Sequence, residues 1–488
     1  MQKKISLLYT GEDRPKFSEP ISTAVYNLNI DRMTYAACEN KRQSDYFLSV
    51  LCQEAVSRDD TVYRAEILRD FIKYPDLLSS LMQIFKGYEG LPEETEEVLS
   101  EIFRYGVPAS SSGMLDCAYE ELYVNAHYAR NVIAYFSEIH ELFEGYAVES
   151  KGLLAMKELC VAISESKCIT ETERAAEHFK SEHLESYKFS LDVTLDEAMR
   201  ICACSIADVT DAAAKDKKNI LSIFKKNAPV TVQIGTSCVD NAQNAVSAAI
   251  SELSGIFADI AAAVYGAFKG IGEELAFYKV ALAIEHRLTK NGMHYCFPEV
   301  LDAEADTLQA TEIYDMLLLN EGKNASSIVT NEVVLDKSIL ARGDNNCGKT
   351  SFLRSVGCAV LFAQNGLFVC AKTMKTSIMG AIFSHFSSAE KDFSEGDAAG
   401  RFEGEVKEIA AIMDEIRPYS LVLLNETFQT TAYREGAEGM RDILAVFPKI
   451  KCKYIFVTHM SAIFKIFPRG QANILTAKGY KLLKEQEI

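Results

Sequence analysis

The chain has 488 residues, is 48% hydrophobic and 25% charged, and carries 10 prolines, the profile of a globular chain of about two to four domains. Its net charge of −18 excludes a protein that is basic overall, so any grip on nucleic-acid phosphates has to come from a local patch. No run of about 18 uncharged apolar residues is present, the N-terminal MQKKISLLYTGEDRPK has no secretory apolar core, and the 13 cysteines lack metal-ligand spacing, so the expectation is a cytoplasmic chain with free thiols and no membrane partner.

Residues from about 40 to 325 read as overwhelmingly helical. In Met114–Tyr146, Leu115, Tyr119, Leu122, Ala126, Ala129, Ile133, Phe136, Ile139, Phe143 and Tyr146 recur at steps of three and four, one face of a long amphipathic helix. Next comes the densest basic patch, Lys215, Lys217, Lys218, Lys225 and Lys226, either a tip that touches a DNA backbone or a solvated loop. Pro229 and the Val-Thr-Val that follows it predict a helix end and a short strand. A second helical stretch runs from Ala242 to Leu288 through Leu253, Phe257, Ile260, Val264, Phe268, Ile271, Leu275 and Leu282. Unbroken, it would span roughly 70 Å, as an extended arm or as ordinary core packing, and Gly266, Gly270 and Gly272 mark a bend or a close crossing.

After about Ser326 the pattern changes to short apolar strands alternating with helices, which predicts an α/β domain on a parallel sheet. The expected fold is therefore α and α/β: a helical core and lever domain over residues 1–325, then a P-loop NTPase domain of ABC type over 326–488.

Three elements carry chemistry. Gly343-Asp344-Asn345-Asn346-Cys347-Gly348-Lys349-Thr350 fits G-x-x-x-x-G-K-[ST], with the strand SILAR before it and a helix opening through Ser351 after it. Such a loop turns backbone N–H groups around phosphate oxygens at a helix N-terminus. Lys349 would reach the β- and γ-phosphates of ATP and Thr350 would ligate Mg²⁺. Leu421-Val422-Leu423-Leu424-Asn425-Glu426 reads as a buried strand delivering polar groups to its C-terminal edge. Glu426 would orient or deprotonate the attacking water, and Asn425 would accept a hydrogen bond from a metal-bound water. A third strand, Lys453–Thr458, ends at His459, which would polarise that water or sense the terminal phosphate.

These elements and the segments between them resemble the ATPase domain of the MutS mismatch-repair family. Ala363–Phe383 is similar to the stretch after the family's phosphate loop. Phe402 and Glu405 match its signature helix, Tyr419–Leu423 and Asn425–Gly436 its Walker B strand and following loop, and Thr458-His459 its switch; Ser57–Leu81 resembles the opening of its helical core. The resemblance implies an ATPase that clamps DNA, whether mismatched, branched or damaged, through lever helices, with paired sites across a homodimer. Two departures bear on mechanism: Asn425 stands for the family's Walker B aspartate and Gly400 for its signature serine. They favour an alternative, a nucleotide-binding switch with little turnover, while the net charge of −18 favours an assembly protein with protein partners.

Overall fold

The computed structural model describes residues 4–38, 40–104, 111–177, 179, 187–195, 197, 201–211, 232–233, 240–320, 325–387, 398–428 and 433–484. The chain forms two compact units, one of Met1–Ser6 with Asp76–Gly272, the other of Leu7–Pro75 with Glu273–Ile488. Lys215, Lys217, Lys218, Lys225 and Lys226 lie outside the described residues.

In chain order the first helices are α1 (Glu19–Asn27), α2 (Ile30–Ala37), α3 (Lys41–Leu51) and α4 (Arg58–Lys73). There follow α5 (Pro75–Arg104), α6 (Ser111–Glu144), α7 (Lys151–Ser164) and α8 (Lys167–Ala176), then strands β1 (Tyr187–Leu195), β2 (Ile201–Asp211) and β3 (Val232–Gln233), and helix α9 (Asp240–Phe268).

The first unit is built on α6 and α9. Tyr119, Leu122, Ala126, Ala129, Ile133, Phe136, Ile139 and Phe143 are all buried, so the three-and-four spacing does translate into one packed face. Phe136 meets Phe268 edge-on at 4.8 Å between ring centroids, and Tyr88 stacks on Tyr265 at 4.9 Å. Each such pair adds about 0.5–1.5 kcal/mol beyond the area it buries. Asn125 Nδ2 donates to Ser254 Oγ at 2.9 Å within this core, which satisfies two polar groups that would otherwise be costly there.

Two expectations change here. Residues 40–325 are not helical throughout: β1 and β2 pair antiparallel, with β3 beside β2. The cause is legible afterwards, because Tyr187, Phe189, Leu191, Val193 and Leu195 alternate with polar residues at the strand period of two. The second long helix is interrupted. α9 ends at Phe268, Gly270 takes φ +91, and α10 (Ile271–Lys290) begins afresh, a conformation open to glycine at little cost. The stretch Val246–Lys290 is nevertheless long and apolar enough to cross a membrane by length and composition, with 33% of its most apolar part buried. It is not a run of uncharged residues, since Glu252, Asp259 and Lys269 interrupt it.

In the second unit β4 (Glu299–Leu301), β5 (Leu308–Ile313), β6 (Asn331–Val334) and β8 (Thr373–Ser377) form a four-stranded sheet of order β4-β8-β5-β6. The larger sheet has the order β13-β12-β7-β11-β10-β9, from β7 (Ser338–Arg342), β9 (Ile382–Phe386), β10 (Leu421–Asn425), β11 (Lys453–Thr458), β12 (Ala472–Lys478) and β13 (Lys481–Lys484). All neighbours pair parallel except β12 with β13. The strands Leu421–Leu424 and Tyr454–Val457 are hydrophobic and buried, as strands covered on both faces must be. Helix α12 (Lys349–Gln364) follows β7; α13 (Ala398–Glu415) and α14 (Tyr433–Leu444) flank β10, and the short α11 (Leu317–Asn320) and α15 (Ser461–Ile466) precede β6 and follow β11. The result is a mixed α and α/β fold with long helices and sheets.

The N-terminal helices belong to this unit. Asn27 Nδ2 donates to Ser384 Oγ at 2.9 Å, and Thr61 Oγ1 to the Gln364 carbonyl at 3.1 Å. Arg64 is fully buried; its Nε donates to Leu8 O at 2.7 Å and its Nη1 to Asn365 Oδ1 at 3.0 Å. Gly366, at φ +73, packs so closely that a Cβ there would sit 2.6 Å from the Arg64 Cβ and the Thr61 carbonyl.

Candidate functional site

The C-terminal edge of the large sheet gathers the polar residues. Strand β7 runs into the loop 343–348, and α12 starts at its end. Two glycines are required by geometry. A Cβ on Gly343 would lie 2.7 Å from both Ala477 Cβ and Cys347 Sγ, and Gly348, the residue before α12, has φ +86. Asn346 also takes a left-handed φ of 60, which asparagine tolerates better than most residues. The loop thereby wraps closely around the helix N-terminus, the form suited to a polyphosphate. Asp344, Asn345 and Asn346 are exposed on its outer side; Cys347, Thr350 and Ser351 are half-buried.

Lys349 is 5% exposed and turned inward. Its Nζ donates to the carbonyls of Gly343 and Asp344, both at 2.7 Å, and lies 3.8 Å from Cys347 Sγ and 3.8 Å from Glu426 Oε1. The cation is thus held between the loop and the acidic strand end.

Glu426 closes β10 in a left-handed conformation, φ 52, and Phe428 repeats it at φ 62. Non-glycine residues in this region are strained by about 1–3 kcal/mol. The turn is fixed by several bonds: Glu426 N–H donates to Val457 O at 2.9 Å, and Ser387 N–H to Asn425 O at 3.0 Å. Glu426 Oε2 accepts from both the backbone N–H and the ring Nδ1 of His459, each at 3.0 Å. The Nδ1 hydrogen bond requires the proton on that nitrogen and leaves Nε2 facing away from the carboxylate. Thr350 Oγ1 donates to Asn425 Oδ1 at 3.1 Å. Lys349, Thr350, Asn425, Glu426 and His459, chosen from three separate stretches of sequence, therefore meet in one place, with Glu426 at the centre.

A second layer was missed as site residues. Glu405, on α13, accepts the Phe428 backbone N–H on Oε2 at 2.9 Å and the Ser387 hydroxyl on Oε1 at 2.5 Å, so it latches the strained turn that carries Glu426. Burial raises its pKa above the ordinary carboxylate value, opposed by these two hydrogen bonds. His385, buried at the end of β9, shares a 2.9 Å hydrogen bond between Nδ1 and Thr427 Oγ1. Burial lowers its pKa to about 4. Glu408 Oε2 is 3.1 Å from Nε2, but without hydrogen-bond alignment and on a side chain that is 69% exposed, so water screens it and burial prevails. Glu405 carried a sequence signal in its match to the signature helix; His385 and Ser387 carried none. Among the described residues no group of three or more His, Cys, Asp or Glu is arranged to hold a metal ion.

A family model described as MutS domain V matches residues 339–478. The chain is also similar to curated proteins. It is 29% identical over 178 residues to a DNA mismatch repair protein MutS of Fervidobacterium nodosum, covering 35% of this chain and 20% of that protein. To a DNA mismatch repair protein MSH3 of Pyricularia oryzae it is 34% identical over 128 residues, 26% of this chain and 11% of the relative. A Rickettsia rickettsii DNA mismatch repair protein MutS is 32% identical over 126 residues, 26% of this chain and 14% of the relative. The matched part thus spans a fifth or less of each of these relatives.

Proposed function

We propose, from the premise that this chain belongs to the MutS family through its domain V at residues 339–478, that it is an ATP-binding and ATP-hydrolysing protein that clamps DNA. In this reading residues 326–488 carry a P-loop NTPase domain of ABC type and residues 1–325 supply the core and lever helices, with Leu7–Pro75 and Glu273 onward packed into the same compact unit as the P-loop. The observation that carries it is the single cluster in which the Lys349 ammonium spans the loop carbonyls and Glu426, itself held by His459.

Each side chain then has a task. The loop amides of Gly343–Gly348 and the start of α12 bind the phosphates, and Lys349 leaves the carbonyls of Gly343 and Asp344 to neutralise the terminal ones. Glu426 orients a water and takes its proton, and the His459 bond keeps the carboxylate aimed. The residues fit a Mg²⁺ ion: the Thr350 hydroxyl would ligate it, and the Asn425 amide oxygen beside it would take a hydrogen bond from one of its waters. When bound, the ion would supply charge neutralisation on the phosphates.

DNA, mismatched, branched or damaged, is the proposed partner, in a cytoplasmic protein that works as a homodimer and not in a membrane. A specific observation favours a second reading, a nucleotide switch with little turnover: the place beside Thr350 is taken by the neutral Asn425. Steady-state ATP hydrolysis decides between them. Glu426→Gln is expected to cut turnover by about 100-fold or more while ATP still binds, and Lys349→Ala to abolish binding. Equal rates in the wild type and both variants would refute the hydrolytic reading, and equal ATP binding by the wild type and Lys349→Ala would refute both.

A further inference from the structure

The turn between β12 and β13 pairs Lys478 with Lys481 across two residues, Gly479 at φ 58 and Tyr480 at φ 70. Both central residues are left-handed, as in a type I′ hairpin, which favours asparagine or glycine at these places. A tyrosine in the second is strained. Core packing does not account for it, because Tyr480 is 56% exposed. The ring lies instead against the phosphate loop: a Cβ built on Gly348 would meet Tyr480 Cδ1 at 3.3 Å and its carbonyl oxygen at 3.4 Å.

Sheet order gives this placement a direction. β11 and β10 lie on one side of β7, and β12 and β13 on the other. Asn425, Glu426 and His459, the groups suited to the terminal phosphate, all come from the β11 and β10 side. A triphosphate threaded through the loop with its terminal phosphate at Glu426 therefore carries its ribose and base toward the β12–β13 turn.

We infer that Tyr480 is the base-side wall of the nucleotide site, an aromatic platform on which the purine ring of ATP stacks. This rests on the ATP-binding reading above and adds the residue that recognises the nucleoside end. Stacking needs only the π face, so the phenol hydroxyl is dispensable.

The chain contains no tryptophan, so Tyr480→Trp introduces a sole indole whose emission reports on the turn. Its emission is expected to change on titration with ATP and to stay constant with inorganic tripolyphosphate. Tyr480→Asn suits the left-handed turn and removes the ring; it is expected to weaken ATP binding about tenfold and leave tripolyphosphate binding within about twofold. Tyr480→Phe is expected to bind both like the wild type. Unchanged ATP affinity in Tyr480→Asn, or equal loss of ATP and tripolyphosphate, would overturn the inference and leave ATP binding itself standing. A wild-type protein that binds neither ligand would overturn the ATP-binding reading and this inference with it.

Discussion

On the proposed reading, Asn425 is the residue that limits the rate of this site. Its Oδ1 accepts the Thr350 hydroxyl at 3.1 Å, and a carboxylate in the same place would accept the same bond with a negative charge added. Asn425→Asp is therefore expected to lower the Mg²⁺ concentration needed for half-maximal ATP hydrolysis by roughly threefold or more; an unchanged Mg²⁺ dependence would remove the lost charge as the limiting factor. Cys347 gives a second handle at this scale. Its thiol is half-buried, in contact range of Lys349 Nζ at 3.8 Å, so alkylation is expected to block nucleotide binding, and saturating ATP to slow the labelling several-fold. Equal labelling rates with and without ATP would show that the thiol faces away from the ligand.

Among the elements, β9, β10 and α13 act together. The Glu426 turn is strained, and its stability comes from Glu405 on α13 and from Ser387 after β9. His385 on β9 makes this layer sensitive to acid. Its folded pKa of about 4 lies below the ordinary value of 6.5, so the folded state binds fewer protons than the unfolded chain between those limits. Its contribution is complete above about pH 6.5 and is lost as pH falls toward 4, by up to about 3 kcal/mol. Denaturant midpoints of wild type and His385→Gln at pH 7.5 and pH 4.5 test this: the wild type is expected to lose more stability on acidification than the variant, and parallel losses would exclude His385 as the source.

Much at this scale was legible beforehand. The loop from Gly343 to Thr350 and the strands ending at Asn425 and Thr458 are local signals, fixed by glycine, charge and apolar runs. The hairpin of β1 and β2 was readable too, from its alternation, but the helical pattern on either side outweighed it. Ser387, His385 and the latch made by Glu405, a residue visible only as a match to the signature helix, were a different matter, since their role depends on α13 and β9 coming to the same strand edge. No spacing along the chain encodes that meeting, and the strained φ of Glu426 cannot be read from a glutamate.

For the whole molecule the net charge of −18 sets the condition for any contact with DNA. Binding is expected to fall steeply with salt, with a slope reduced by about one for each phosphate-contacting lysine removed. Lys217→Glu with Lys225→Glu is the variant to compare by salt titration on homoduplex, mismatched and branched DNA, with and without ATP. Absence of binding at low salt in all arms would turn attention to protein partners.

The buried Arg64 has a further consequence. Its guanidinium holds Leu8 on one side and Asn365, just past the end of α12, on the other, so the helix that opens at the phosphate loop finishes on a peg supplied some 300 residues earlier in the chain. During synthesis that peg leaves the ribosome long before its socket exists, and a lone cation of this kind stays hydrated until the socket arrives. Folding of the second unit therefore has to wait until residue 365 of the 488 has been made, and an amino-terminal fragment of it would lack the Asn365 socket.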